Sequence, residues 1–242
     1  MTFDFLAGAL LVTLATCIGA ASTLFIKNLC GVRYSIILAF SAGVMAFTAA
    51  EMFGQAFEQI DLFSVLIGFA LGFASIMIME KTLPHIHYQI KKTKLANSKK
   101  KVALIVGAIA IHNIPEGFAI AAAFAGSVPL GWFTAISMAI QDVPEGAMIS
   151  TPLICYGLKK SRAVGLGMLS GITEGVAAVL GYFILSFVLD LVPLALAFSS
   201  GAMVYVVLVE IMPDVLRENA KLGSLSFVVG MVIAFLLAGF FS

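Results

Sequence analysis

The chain has 242 residues, 61% hydrophobic and only 11% charged, with a formal net charge of +1. Soluble domains hold roughly half apolar and a quarter charged residues, so the composition excludes an ordinary soluble enzyme or binding module. It leaves almost no chain for a soluble domain, and no nucleic-acid partner is expected.

About eight apolar runs fill the sequence, each near the 20 residues that a helix needs to cross a bilayer. They are 4–26, 34–55, 61–80, 102–125, 130–154, 163–189, 191–212 and 223–241. The expectation is an all-α integral membrane protein with one transmembrane domain over 1–242. The Lys-rich loop 81–101 is its longest connection and its only plausible disordered segment. The sixth and seventh runs are parted by little more than Asp190 and Pro193, which predict a tight turn. Residues 1–4 offer no basic n-region, so the first run reads as a retained span rather than a cleaved signal. Cys17, Cys30 and Cys155 lack pair spacing and suggest neither a disulfide framework nor a CxxC metal site.

Charge placement orients the spans. All 14 Lys and Arg lie after the first, third, fifth or seventh run: Lys27 and Arg33; seven lysines from Lys81 to Lys101; Lys159, Lys160 and Arg162; Arg217 and Lys221. With eight crossings these loops share one face, which the positive-inside rule makes cytoplasmic, with both termini outside. Asp4, Glu51, Glu58, Asp61 and Asp190 gather at the outer ends, either concentrating cations there or serving as solvated helix ends. Glu80, Glu210 and Asp214 lie near inner ends. Glu116, Asp142, Glu145 and Glu174 sit mid-span, where an ionisable group is costly and marks function by default.

Three of those four acids lie in or beside a motif written twice. His112-Asn113-Ile114-Pro115-Glu116-Gly117 on span four is answered 29 residues later, on span five, by Gln141-Asp142-Val143-Pro144-Glu145-Gly146. A weaker pair links spans two and seven, Ser41-Ala42-Gly43-Val44-Met45 with Ser199-Ser200-Gly201-Ala202-Met203, followed by Glu51 and Glu210 respectively. Equivalent spans running in opposite directions predict an inverted 3+2+3 repeat, with its substrate site at the midplane.

On a helix His112 and Glu116 share a face, as do Asn113 and Glu116, and Gln141, Asp142 and Glu145 repeat the arrangement. Pro115 and Pro144 free the carbonyls of Ile111 and Ile140, while Gly117 and Gly146 admit close helix approach. The two helices together offer an imidazole, two amides, three carboxylates and loosened backbone. No mid-span Lys or Arg balances the acids, so protons or metal ions must. Imidazole with carboxylate oxygen suits zinc and related transition metals better than magnesium or calcium. Glu116 and Glu145 are placed to bridge two adjacent ions. Glu174 on span six is a third-helix ligand, a proton acceptor or a packed residue. Met45 is a thioether ligand or core filler. His85 and His87, beside Glu80, are a metal hand-off site or a solvated loop, with Glu210 at a neighbouring inner end.

The span-four motif, the basic loop between spans three and four and the span count resemble the ZIP (Zrt/Irt-like) metal transporter family over essentially the whole chain. Gln141-Asp142, where the common form begins with histidine, resembles its GufA-type prokaryotic branch. The resemblance implies a single transporter domain in the inner (cytoplasmic) membrane, taking zinc-class ions into the cytoplasm. It implies a first metal site from His112, Glu116, Gln141 and Glu145, with Met45 a further candidate. It implies a second from Asn113, Asp142 and Glu174 sharing the two glutamates. With one imidazole in the core, cadmium, iron and manganese are further expected ions. No cofactor is expected; metal is cargo, the bilayer is the surrounding partner, and a homodimer is left open. With no nucleotide-binding signature and no room for an ATPase domain, gradients would drive transport. A proton or other cation carrier is the alternative. An intramembrane metalloenzyme is disfavoured, because HExxH needs a glutamate where Asn113 stands and a second histidine where Glu116 stands.

Overall fold

A computed structural model describes residues 2–25, 32–82, 99–155 and 157–241. Helices account for every element among them, as they must where hydrocarbon offers backbone groups no other partner. In order they are α1 (Thr2–Ser22), α2 (Val32–Phe57), α3 (Leu62–Thr82), α4 (Lys99–Gly126), α5 (Val128–Cys155), α6 (Lys160–Phe187), α7 (Val192–Tyr205) and α8 (Met212–Phe241). Among the described residues, five stretches are long and apolar enough to cross a membrane: Phe3–Ser22, Ser35–Phe57, Leu62–Lys81, Lys160–Phe187 and Leu189–Phe241. The last covers 53 residues, more than twice one crossing. It is broken by extended backbone at Asn219 (φ −160°, ψ 92°), between the seventh and eighth predicted spans. The expected turn before α7 is a 3₁₀ turn, Leu189–Leu191. Pro193 sits in the first turn of α7, where its missing N–H leaves no bond unmade.

The helices pack in a scheme that repeats itself. α1 lies on α5 and α4 lies on α6; α2 lies on α8 and α3 lies on α7. The register is tight at the level of single atoms. Gly43 backs onto the carbonyl oxygen of Phe227, and 158 residues along each chain position Gly201 backs onto that of Phe69. The same step takes the contact of Gly72 with Phe198 to that of Gly230 with Phe40. Gly146 meets the Thr16 carbonyl as Gly117 meets the Glu174 carbonyl, and Thr16 and Glu174 are again 158 apart. A Cβ at any of these glycines would overlap a backbone oxygen. Such glycine-to-backbone seams hold helices together in lipid, where apolar surface gains little by leaving the solvent. The outside of the bundle carries the large apolar side chains, Phe63, Leu71, Phe183 and Phe235 among them, each more than half exposed.

One element departs from the scheme. A step of 158 from Glu51 reaches Val209, whereas the glutamate stands at 210. Between α7 and α8 the helix opens into a π-helical turn, Val206–Ile211, closed by the Met212 N–H on the Val207 carbonyl. A turn of that width takes up one surplus residue inside a continuing helix, which accounts for the odd residue.

Candidate metal centre

α4 and α5 pass through Pro115 and Pro144 without ending, and their polar faces meet in the interior together with α6. Glu116, Asp142 and Glu145 each place a carboxylate oxygen within 4.8 Å of the others. Gln141 Nε2 donates to Glu116 Oε1 at 3.2 Å. Glu174 lies within electrostatic reach of all three acids. Its Oε2 accepts from Thr16 Oγ1 at 3.2 Å. Ser170 Oγ donates to Asn113 Oδ1 at 2.8 Å, which leaves the amide nitrogen of Asn113 for Glu174.

What these bonds leave over is all oxygen. Glu116 Oε2, Gln141 Oε1, Asp142 Oδ2 and Glu174 Oε1 are buried without a hydrogen-bond partner. Two ionised carboxylates 4.8 Å apart repel by about 3.5 kcal/mol at an effective dielectric near 20. From Val102 to Leu158 the sequence supplies no Lys or Arg to balance them. Buried polar atoms are ordinarily satisfied, so these unpartnered acceptors beside the acid group could take a cation. One carboxylate oxygen each from Glu116, Asp142 and Glu145 lies near enough to the others to hold a metal ion between α4 and α5.

The remaining predicted residues fall as follows. His112 lies on α4, its side chain outside the described part of the structure; His85 and His87 lie outside the described residues altogether. Met45 is buried in the apolar core with Met52 and Met138, one turn along α2 from Ser41, whose hydroxyl donates to the Gln141 carbonyl at 3.1 Å. Glu80 accepts a hydrogen bond from Tyr205, and Glu210 on the π-helical turn is close enough to act electrostatically on the same tyrosine. Sequence reasoning overlooked Thr16, Ser170 and Tyr205. Thr16 was findable: it stands 158 residues before Glu174, the step that joins Ser41 to Ser199. Thr16 and Glu174 are therefore equivalent positions that touch, one a hydroxyl and the other an acid.

Helices covered in lipid-compatible side chains, around an interior group of acids, are those of a multi-pass membrane protein. A family model described as ZIP Zinc transporter matches residues 88–238. Zinc transporter ZupT of Chlorobaculum parvum is 30% identical over 226 residues, 84% of each chain. Zinc transporter GufA of Myxococcus xanthus is 34% identical over 152 residues, 62% of this chain and 60% of its own. Human Zinc transporter ZIP11 is 38% identical over 145 residues, 57% of this chain and 42% of its own. The match thus spans less than half the length of that relative. The chain belongs to the ZIP family, whose relatives here are named as transporters and not as enzymes.

Proposed function

We propose that this chain carries a divalent transition-metal ion, zinc foremost, into the cytoplasm through a midplane site between α4 and α5. The observation that carries the reading is the meeting of Glu116, Asp142 and Glu145 within 4.8 Å, the first two buried and Glu145 half-buried, on helices whose sequence has no Lys or Arg from Val102 to Leu158. His112, Gln141 and the two glutamates make the first ion position; Asn113, Asp142 and Glu174 share the glutamates to make a second. Met45 is a soft ligand at the first position. Glu80 and Glu210, with His85 and His87, receive the ion on the cytoplasmic side. Cadmium, iron and manganese follow zinc as cargo.

Eight crossings with both termini outside are read from the loop charges, and the 158-residue recurrence of helix contacts supports an inverted repeat. Such a repeat permits alternating access to a fixed site. The whole chain then acts as a single transporter domain in the cytoplasmic (inner) membrane, as a monomer or homodimer.

Zinc uptake into proteoliposomes tests this, comparing the intact chain with Glu145→Ala and His112→Ala. Strong loss in both variants is expected; equal uptake by all three overturns the reading. Proton movement without any metal flux would instead favour the cation-carrier alternative.

A further inference from the structure

On α5, Thr134 and Ser137 are buried polar groups that the centre itself does not use. Thr134, Ser137 and Gln141 are three and four residues apart, which stacks them on one face of the helix, and Glu145 continues the row. Thr134 and Ser137 are both 0% exposed. Thr134 Oγ1, Ser137 Oγ and Gln141 Oε1 have no hydrogen-bond partner. A helical hydroxyl with nothing else to bind folds back onto the carbonyl one turn earlier. Thr13, Thr16, Thr48 and Thr151 all do so in this chain. Thr134 and Ser137 do not, although burying an unmet hydroxyl is costly.

The row is also one-sided. The positions 29 residues earlier on α4 are Ile105 and Ala108, neither of which has a side-chain oxygen. The repeat therefore places these hydroxyls along only one of its two related paths. α2 runs beside the row, with Ser41 bonded to the Gln141 carbonyl and Phe47 edge-on to Phe133 at 6.5 Å. The hydroxyl of Thr48 on α2 is turned to the Val44 carbonyl and leaves Thr134 unserved.

We propose that Thr134 and Ser137 form a subsite for a partly hydrated divalent cation, one and two turns from Gln141 toward the Val128 end of α5. By the helical rise Ser137 lies about 6 Å and Thr134 about 10 Å from Gln141 along the axis. There the ion exchanges water ligands for hydroxyl oxygens before it meets the carboxylates. Neutral oxygens suit a waypoint, where binding must be strong enough to admit the ion and weak enough to release it. The inference rests on the transport reading above, which puts the Val128 end on the outer side.

The single tryptophan of the chain, Trp132, stands two residues from Thr134 and donates to Asp4 Oδ1 at 3.3 Å, so its fluorescence reports on this stretch. Two measurements compare the intact chain with Thr134→Val/Ser137→Ala and Thr134→Ser/Ser137→Thr. One is zinc uptake into proteoliposomes. The other is stopped-flow cadmium association with solubilised protein, followed at Trp132. The hydroxyl-free pair is expected to raise the KM for zinc and slow cadmium association about fivefold, the scale of one lost polar contact. Its cadmium count at saturation stays that of the intact chain. The hydroxyl-retaining pair should recover to within about twofold of the intact chain. Unchanged KM and association rate in the hydroxyl-free pair overturn the proposal. Loss of bound cadmium in that pair overturns it too, because the hydroxyls then serve the fold and not the route. If the intact chain moves no zinc but cadmium association still slows, the transport reading fails while the subsite stands.

Discussion

Asp142→Asn separates two roles that would otherwise look alike. Three carboxylates with oxygens within 4.8 Å make three pairs, each repelling by about 3.5 kcal/mol when ionised. The amide preserves size and shape but removes two of the three pairs. Relaxation of the site and water penetration leave only part of that repulsion in the net stability. The metal-free variant is therefore expected to gain about 1–2 kcal/mol, or roughly 2–8 °C for a chain of this length. With metal the sign reverses. An ion at about 100 times its dissociation constant stabilises the folded chain by about 2.7 kcal/mol, and a roughly 100-fold weaker site keeps only about 0.4 kcal/mol. Thermal unfolding of solubilised protein in chelator, then in saturating zinc, reads both effects. A variant that melts below the intact chain in chelator and keeps the full zinc-induced rise would refute the reasoning. Asp142 would then be a packing residue whose charge is irrelevant.

Gly146→Ala and Gly117→Ala should each destabilise by about 1–3 kcal/mol, because the new methyl meets the Thr16 or Glu174 carbonyl. Gly54→Ala, with open space around it, should stabilise slightly through helix propensity; equal melting of all three would contradict the seam. Asp61 caps α3, accepting from the Ser64 N–H at 3.1 Å and from Ser64 Oγ at 2.6 Å. The Ser64 hydroxyl first, and then its N–H, hold the Asp61 carboxyl below the ordinary range. Its contribution is thus present above the unfolded pKa and is lost as pH falls through the lower folded value. Asp61→Ala should lower the melting temperature at neutral pH, and the gap should close below the ordinary carboxylate range. A gap that persists in acid would show that the carboxylate is not the cap.

The paired motif was legible because acids and amides stand out against apolar helix, and Gly117 and Gly146 could be recognised as close-approach positions on composition alone. Their partners could not, since the atom each glycine meets is a backbone carbonyl, which every residue has. Thr16 was hidden for a related reason. A threonine in a membrane helix satisfies itself on the preceding turn, and Thr16 does this as well as serving Glu174. Only the 158-residue step marks it out, and that step was visible at Ser41 and Ser199 without being carried back to α1. Tyr205 gave no local sign of its bond to Glu80, a partner 125 positions away. The surplus residue left a trace in the sequence, since Glu210 stands one beyond the 158-residue step from Glu51, but the run of valines, a leucine and an isoleucine around it did not show that a wide turn would absorb it.

That turn has a consequence for the register of the two halves. A residue added to a regular helix rotates everything beyond it by about 100° and would have swung Glu210 away from the place that Glu51 holds in the other half. By bulging, the helix swallows the addition within one turn and returns to its former phase. The bulge sits beside Tyr205, whose hydroxyl reaches Glu80 on α3. The halves thus differ by one residue at that turn, while the glycine contacts at Gly43 and Gly201 and at Gly72 and Gly230 keep a common step.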